Sequence, residues 1–194
     1  PIDPKDVGRT YDSDVIRINS QSGRGGVSYV LKNSFGLILP DKMKEEVGYL
    51  MKNVSDHRHA ELSPEDMRDV FKETYVDVDK KFDVSECHFK QKDGIGAEVT
   101  IVADGKETVV DSHGNGRLNA VNHAIKKYFN LDYALDVYEE HSLSKRSDAQ
   151  AISYVGIKPA GQEKLYWGAG TDDDIIKSSI DALVNAVNRY MENK

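Results

Sequence analysis

The sequence has 194 residues, of which 39% are hydrophobic and 30% charged, and its formal net charge is −7 at pH 7. An acidic chain with scattered Lys and Arg lacks the basic patch of a nucleic-acid-binding protein, so we expect no nucleic-acid partner. No apolar run approaches the roughly 18 residues of a membrane span, which argues against a membrane helix. The single cysteine, Cys87, excludes an intrachain disulfide and a cysteine-based zinc site.

The first residues, PIDPKDVGRTY, carry neither the basic nor the apolar region of a signal peptide. The expected compartment is therefore the reducing cytoplasm. The sequence also starts without Met on a polar stretch that contains two prolines. We therefore expect it to be a piece of a longer chain.

Residues 1–35 are predicted to form a linker subdomain with a short hairpin. Residues 15–19 and 27–32 are the two candidate strands, and the loop SQSGRGG joins them. This loop resembles a phosphate-binding loop, but it lacks the GKS or GKT ending and does not open a helix. A hairpin connection is therefore favoured over a nucleotide site.

Residues 36–76 are predicted to form a small subdomain of two helices. The first begins near Pro40, and the second has Ser63 as its N-cap and Pro64 as its first helical residue. The acidic surface of this pair argues against a DNA-binding helix-turn-helix. His57 and His59 lie in a polar loop with no third metal ligand at a recognisable spacing, so a metal site is not predicted there.

Residues 77–194 are predicted to form one domain in which three strands and a helix occur twice. This order, βββαβββα, predicts an α+β domain with helices packed on antiparallel sheets. Alternating β-branched residues and the turn Asp104-Gly105 support the strands of the first unit. The strands are predicted at 82–92, 97–102, 107–110, 133–144, 149–158 and 164–167, and the helices at 115–129 and 175–191.

A Gly-x-Gly phrase stands near the end of the last strand in each unit. The first is Gly114-Asn115-Gly116 and the second is Gly168-Ala169-Gly170. Free N–H groups at a helix start, reached past glycines, can bind the carboxylate of a small molecule. The same glycines also permit a tight turn without any ligand, which is the commoner case. Three aspartates follow the second phrase and would repel an anion, so we expect the two copies to differ in function.

A catalytic site is not predicted from the residues alone. Glu139, Glu140 and His141 are possible acid–base groups, but no nucleophile is placed near them.

Several phrases together resemble the C-terminal part of 2-isopropylmalate synthase, in the long form of that enzyme. The resemblance covers essentially the whole chain. Its phrases are GRTYDSDVIRINSQSGRGGVSYVLK, LSPEDMRDVFKETY, GNGRLNAVNHAI, DVYEEHSLSKRSDAQAISYV, YWGAG and SIDALVNAVNR.

This resemblance implies that residues 1–76 are linker subdomains and that 77–194 form a regulatory domain of two βββα units. In that family the regulatory domain dimerises and binds leucine near the dimer interface for feedback inhibition. The family's catalytic TIM barrel, which is absent here, holds a divalent metal and condenses acetyl-CoA with 2-oxoisovalerate, the first committed step of leucine biosynthesis. We therefore expect an acyltransferase as the full protein, and no cofactor, metal or activity in this part alone.

Two alternatives stay open at this point. Homocitrate and citramalate synthases share the general architecture, and such a sibling would sense a different end product. The chain could also be a dimerisation scaffold whose pocket has no effector.

The resemblance also implies the residues of the leucine pocket. Asn119 stands where a small residue is expected, and a bulky residue in place of Ala149 is expected to block leucine without unfolding the domain. Tyr11, in the phrase GRTY, matches a linker tyrosine that reaches toward the partner chain's catalytic site. The pocket residues are Gly114, Asn115, Gly116, Leu118, Asn119, Leu135, Tyr138, Ser142, Ala149, Ala151 and Ile175.

Overall fold

The structure, a computed structural model, describes residues 24–144 and 149–194. Three helices are followed by two units of three strands and one helix, so the predicted βββαβββα order is confirmed. Among the described residues, no helix is long and apolar enough to cross a membrane. The elements are α1 (Arg24–Phe35), α2 (Asp41–Arg58), α3 (Pro64–Phe71) with a π-helical turn (Lys72–Val76), β1 (Phe82–Gln91), β2 (Ile95–Ala103), β3 (Lys106–Gly114), α4 (Arg117–Phe129), β4 (Tyr133–Ser142), β5 (Ala151–Pro159), β6 (Tyr166–Asp172) and α5 (Ile175–Glu192).

Each unit forms its own antiparallel three-stranded sheet with the strands in chain order. Asp104 and Gly105 both have positive φ and join β2 to β3, which confirms the predicted tight hairpin. In the first sheet, Ala97, Val99 and Ile101 are buried in a core that includes α4, while the residues between them are partly exposed. This alternation is typical of a sheet with one covered face and one open face.

The second sheet is a middle layer with both faces covered. Val155 and Ile157 of β5 belong to the core formed with α4 and α5, whereas Ile152 and Tyr154 belong to a second core formed with α1, α2 and α3. Neighbouring residues of a strand point to opposite faces, so the helical module lies against the face opposite α5. This arrangement explains why β5 is buried along almost its whole length.

The strand predicted at 27–32 is wrong, because these residues form part of α1. Val27, Val30 and Leu31 follow helical spacing and are buried in the core shared with α2 and α3. The β-branched residues here favour a strand locally, but packing of one helical face outweighs that propensity. The other predicted strand of the hairpin, 15–19, and Tyr11 lie outside the described residues.

The two helices predicted in residues 36–76 are confirmed as α2 and α3. Ser63 Oγ accepts a hydrogen bond from the Asp66 N–H at 3.1 Å, and the Asp66 carboxylate accepts one from the Ser63 N–H at 3.0 Å. This capping box, with Pro64 as the first helical residue, fixes the start of α3. The predicted domain boundaries stay a prediction, since α1, α2 and α3 share a core with β5 and β6.

Helix α5 lies directly on the backbone of β6. A Cβ built on Gly168 would stand 2.3 Å from both the Ala182 carbonyl oxygen and the Ala186 nitrogen. A Cβ on Gly170 would stand 2.3 Å from the Ser178 carbonyl oxygen. The second Gly-x-Gly phrase therefore serves helix–sheet packing inside a strand, unlike Gly114–Gly116 at the start of α4.

We expect Gly168→Ala to lower the free energy of unfolding by about 3 kcal/mol or more, because the added methyl group overlaps the backbone of α5. Urea unfolding monitored by circular dichroism measures this change. Gly96→Ala in β2 is the matched control, since a Cβ there would meet only the Lys90 carbonyl oxygen, at 3.7 Å. Equal stability of the two variants would contradict the close approach.

Candidate functional site

The first Gly-x-Gly phrase forms the turn between β3 and α4. A Cβ on Gly114 would lie 2.5 Å from the Ala120 nitrogen, so only glycine allows α4 to approach β3 here. Gly116 is the N-cap residue of α4, with extended backbone and no side-chain cap. No described atom lies within 4 Å of a Cβ built on Gly116, so its glycine is not required by packing.

Asn119 stabilises this turn from the first turn of α4. Its side-chain oxygen accepts a hydrogen bond from the Asn115 N–H at 3.1 Å and lies 2.5 Å from the position of a Cβ built on Gly114. The bond ties Gly114, Asn115, Gly116 and Asn119 into one unit. Asn119, which stands where a small residue is expected, therefore stabilises the turn.

Leu118 and Leu135 approach the same core from α4 and β4. The Tyr133 hydroxyl donates to Asn122 Oδ1 at 2.7 Å, which fixes α4 beside the start of β4. Leu118 lies four residues before Asn122 on α4, and Leu135 lies two residues after Tyr133 on β4. Both are partly buried against the core.

Tyr138 of β4 lies beside the start of α5, which begins at Ile175. Tyr138 Oη lies 2.7 Å from Ser179 Oγ, and the Ser179 hydroxyl donates to the Ile175 carbonyl at 2.7 Å. An irregularity in β4 between Leu135 and Val137 turns Tyr138 toward this helix. Tyr138 and Ile175 stay 39% and 46% exposed, so they form an open surface.

Buried hydroxyl groups lie beneath that surface. Ser153 Oγ is 2.8 Å from Ser178 Oγ and 3.2 Å from Ser179 Oγ, and all three residues are fully buried. The Tyr138 hydroxyl also donates to the Glu140 carboxylate. Burial, followed by this hydrogen bond, raises the pKa of the Tyr138 hydroxyl, so it stays protonated as a donor.

The predicted site residues on β4 and β5 span a distance longer than one small ligand. Ser142 pairs with Ala151 at the end of the sheet where α5 begins, and Ala149 lies just beyond in a half-buried position. Leu135 is seven residues from Ser142, or roughly 23 Å along an extended strand. One amino acid can contact only one part of this range.

The first turns of α4 and α5 lie on either side of Phe89 of β1. The Arg117 guanidinium stands 5.7 Å from the Phe89 ring, and Phe89 lines a cleft of about 200 Å³ together with Asp174 and Ile176. Of the three clefts described, none is lined by the residues of the predicted leucine pocket. Tyr138 and Ile175 of the predicted site are partly exposed on the surface of this single chain.

His141, a possible acid–base group in the sequence, has a structural role. Its Nε2 accepts a hydrogen bond from the Ile38 N–H at 3.2 Å and lies 3.1 Å from the Tyr154 hydroxyl. These contacts join β4 to the segment between α1 and α2. Within residues 24–144 and 149–194, no group of three His, Cys, Asp or Glu side chains is placed to hold a metal ion.

A cluster around Arg189 fastens α5 to the helical module. Arg189 Nη1 donates to the Trp167 carbonyl at 2.7 Å, and Nη2 donates to Glu46 Oε1 of α2 at 3.3 Å. The Tyr75 hydroxyl donates to the same Glu46 oxygen at 2.9 Å, and its ring lies 4.6 Å from the guanidinium carbon. Burial and the negative charge of Glu46 raise the pKa of Tyr75, which keeps it a hydrogen-bond donor.

Asn185 adds a second connection between α5 and the helical module. Its amide nitrogen donates to the carbonyls of Val76 and Ala169, both at 2.8 Å. Sequence reasoning missed these contacts. The available signal was the presence of Ser178, Ser179 and Asn185 on a helix whose pattern is otherwise apolar, since buried polar groups are hydrogen-bonded.

Two βββα units, each with its own antiparallel sheet, define this part of the chain as a doubled α+β domain. The chain belongs to the LeuA allosteric (dimerisation) domain family, which matches residues 61–191. A second family, described as alpha-isopropylmalate synthase, post-catalytic domain-like, matches residues 1–32. The sequence-based identification of the family is confirmed.

Similar curated proteins include several 2-isopropylmalate synthases. The enzyme of Desulfitobacterium hafniense (strain Y51) is 42% identical over 193 residues, which are 99% of this chain and 34% of that protein. The enzyme of Helicobacter hepaticus is 42% identical over 200 residues, 98% of this chain and 36% of that protein. The enzyme of Mycobacterium ulcerans (strain Agy99) is 39% identical over 196 residues, which are 97% of this chain and 34% of that protein. The chain thus spans about a third of the length of these relatives.

We expect Arg189→Met to lower the free energy of unfolding by about 2 kcal/mol, because Glu46 and the Trp167 carbonyl both lose a donor. Arg58→Met is the control, since Arg58 forms only an exposed ion pair with Asp66 at 3.5 Å. Urea unfolding of Arg189→Met, Glu46→Gln and the double variant measures the coupling of the pair. Strict additivity would show that the pair does not act together.

Proposed function

We propose that this chain is the regulatory part of a 2-isopropylmalate synthase and that it binds L-leucine beside the first turns of α4 and α5. The observation that carries the proposal is that the side chains at these two helix starts differ in charge. Helix α4 begins at the uncapped Gly116 with Arg117 and no acid in its first turn. Helix α5 begins at Asp174, whose side chain caps it, next to Asp172 and Asp173.

A zwitterionic amino acid complements such a pair of helix starts. The free N–H groups of α4 and its macrodipole favour the ligand's carboxylate, whereas the aspartates before α5 favour its ammonium group. The isobutyl group would lie against Leu118, Leu135 and the ring of Tyr138. Full burial of a side chain of this size contributes roughly 1.5–3 kcal/mol.

The same helix α5 offers a route from the ligand to the rest of the enzyme. Its first turn carries Ile175 and Ser179, and its last turns are fastened to α2 and the π-helical turn through Arg189 and Asn185. A ligand that favours one position of α5 would therefore bias the helical module. Feedback inhibition of this kind needs a coupling free energy of about 1–3 kcal/mol.

The catalytic activity belongs to the longer protein in this proposal. A barrel outside this chain, with its divalent metal, would condense acetyl-CoA with 2-oxoisovalerate, and this part alone would be inactive. The names of the relatives support this assignment. Leucine, the end product, would then act on the barrel through the helical module.

Calorimetric titration of the chain with L-leucine, L-isoleucine and D-leucine tests the proposal. We expect saturable binding of L-leucine alone. Selective binding of isoleucine would assign the chain to a sibling synthase with another end product. A folded dimer that binds none of the three would be a scaffold, and the leucine proposal would be wrong.

We expect Gly116→Asp to weaken leucine binding at least about tenfold. A carboxylate at the N-cap would repel the ligand's carboxylate and would itself accept hydrogen bonds from the free N–H groups of α4. The same change should leave the melting temperature equal or higher, since Asp is a good N-cap residue. Gly116→Asn is the neutral counterpart and should cost less affinity. Unchanged leucine affinity in Gly116→Asp would exclude α4 as the carboxylate site.

We also expect the chain to form a dimer through the regulatory domain. The family description includes dimerisation, and the exposed Tyr138 and Ile175 offer apolar surface beside the ligand site. Sedimentation equilibrium should give about twice the chain mass of 21.7 kDa. A monomer at all concentrations tested would refute this prediction.

A further inference from the structure

The dipeptide Asn115-Gly116 joins the end of β3 to the start of α4. Asn115 is the only Asn in the sequence that is followed by Gly. It is exposed, and its side-chain amide has no hydrogen-bond partner among the described residues. Its main chain is held, since the Asn115 N–H donates to Asn119 Oδ1 at 3.1 Å. The side chain can therefore rotate on a main chain that is fixed on its N-terminal side.

The backbone nitrogen of Gly116 is also accessible. Its N–H donates to no other described residue, whereas the Gly116 carbonyl accepts a hydrogen bond from the Ala120 N–H at 3.0 Å. A Cβ built on Gly116 would meet no described atom within 4 Å, so there is open space beside this peptide unit. Glycine also carries no side chain that could shield its own nitrogen.

This arrangement favours attack of the Gly116 nitrogen on the side chain of Asn115. The nitrogen loses its proton and bonds to the Asn115 Cγ, the bond from Cγ to the side-chain nitrogen breaks, and that nitrogen leaves as ammonia. A five-membered succinimide ring results, and water then opens it at either carbonyl to give Asp or isoaspartate. The net reaction converts an amide and water to a carboxylate and ammonium, so it needs no oxidant or reductant.

We propose that Asn115 is a site of spontaneous deamidation that places a negative charge at the start of α4. Both products carry their carboxylate one residue before the N-cap Gly116, and the first turn of α4 has no acidic residue of its own. The isoaspartate product also lengthens the main chain by one carbon next to Gly114, where α4 leaves no room for a Cβ. The reaction therefore changes both the charge and the geometry of this helix start.

Mass spectrometry of peptides from the chain, after incubation at neutral and at alkaline pH, tests the proposal. We expect the mass gain of an amide-to-acid exchange at Asn115, faster at the higher pH because the attacking nitrogen must lose its proton. Asn33 is the internal control, since it is exposed and followed by Ser34 but lies within α1, where backbone N–H groups are hydrogen-bonded. Equal rates at Asn33 and Asn115 would overturn the proposal.

Gly116→Ala should slow the reaction at Asn115 about tenfold, which corresponds to about 1.4 kcal/mol in the barrier. The added methyl group crowds the attacking nitrogen and restricts its backbone. Ala is a poorer N-cap residue than Gly, so a slower reaction cannot result from a more stable helix start. An unchanged rate would show that the Gly116 nitrogen is not the nucleophile, and the proposal would be wrong.

The consequence of this charge for regulation rests on the proposed function. A carboxylate before α4 repels the carboxylate of leucine, so Asn115→Asp should bind leucine about tenfold more weakly than the parent chain. Asn33→Asp, which adds the same charge at an exposed position of α1, is the matched control and should bind leucine normally. Equal affinities of the two variants would overturn this consequence. Absence of leucine binding by the parent chain would instead refute the proposed function, and the mass measurement decides the modification site without leucine.

Discussion

The close approach of α5 to β6 determines the rest of this structure. Ser178, Ala182 and Ala186 recur every four residues, so small side chains form one face of the helix, and Gly168 and Gly170 present bare backbone opposite to it. Interiors are packed as densely as organic crystals, so such a contact admits one alignment of helix and strand. That alignment fixes where the first turn of α5 stands relative to β4 and β5, and hence the geometry of the candidate site.

Helix α5 is also tied to its surroundings by side-chain hydrogen bonds along its second half. Asn188 donates to the Phe82 carbonyl at 2.9 Å, Asn185 to the π-helical turn, and Arg189 to both β6 and Glu46. At its first turn, Ile175 is exposed. Under the proposed function, a displacement at that turn would reach the helical module through these packed contacts.

The doubled unit could be predicted from sequence because its signals are local. Alternating strands, the Asp104-Gly105 turn and the capping box at Ser63 each act over a few residues. At 27–32 the sequence predicts a strand, whereas the structure has part of α1. The β-branched residues favour a strand locally, and packing against α2 and α3 favours the helix. The link between Glu46 and Arg189 spans 143 residues and has no local signal. The largely apolar sequence of β5, interrupted by Ser153, is a feature that indicates a layer on both faces of its sheet.

The glycines of the two Gly-x-Gly phrases have different structural roles. Gly168 and Gly170 are explained by packing, and Gly114 by the approach of α4 to β3. Gly116 is different, because its φ of −149° is available to any residue and its surroundings leave room for a side chain. Asp, Asn or Ser would cap α4 as well as or better than glycine. Packing of the described residues does not require a bare N-cap here, whereas under the proposed function a carboxylate ligand would use those N–H groups.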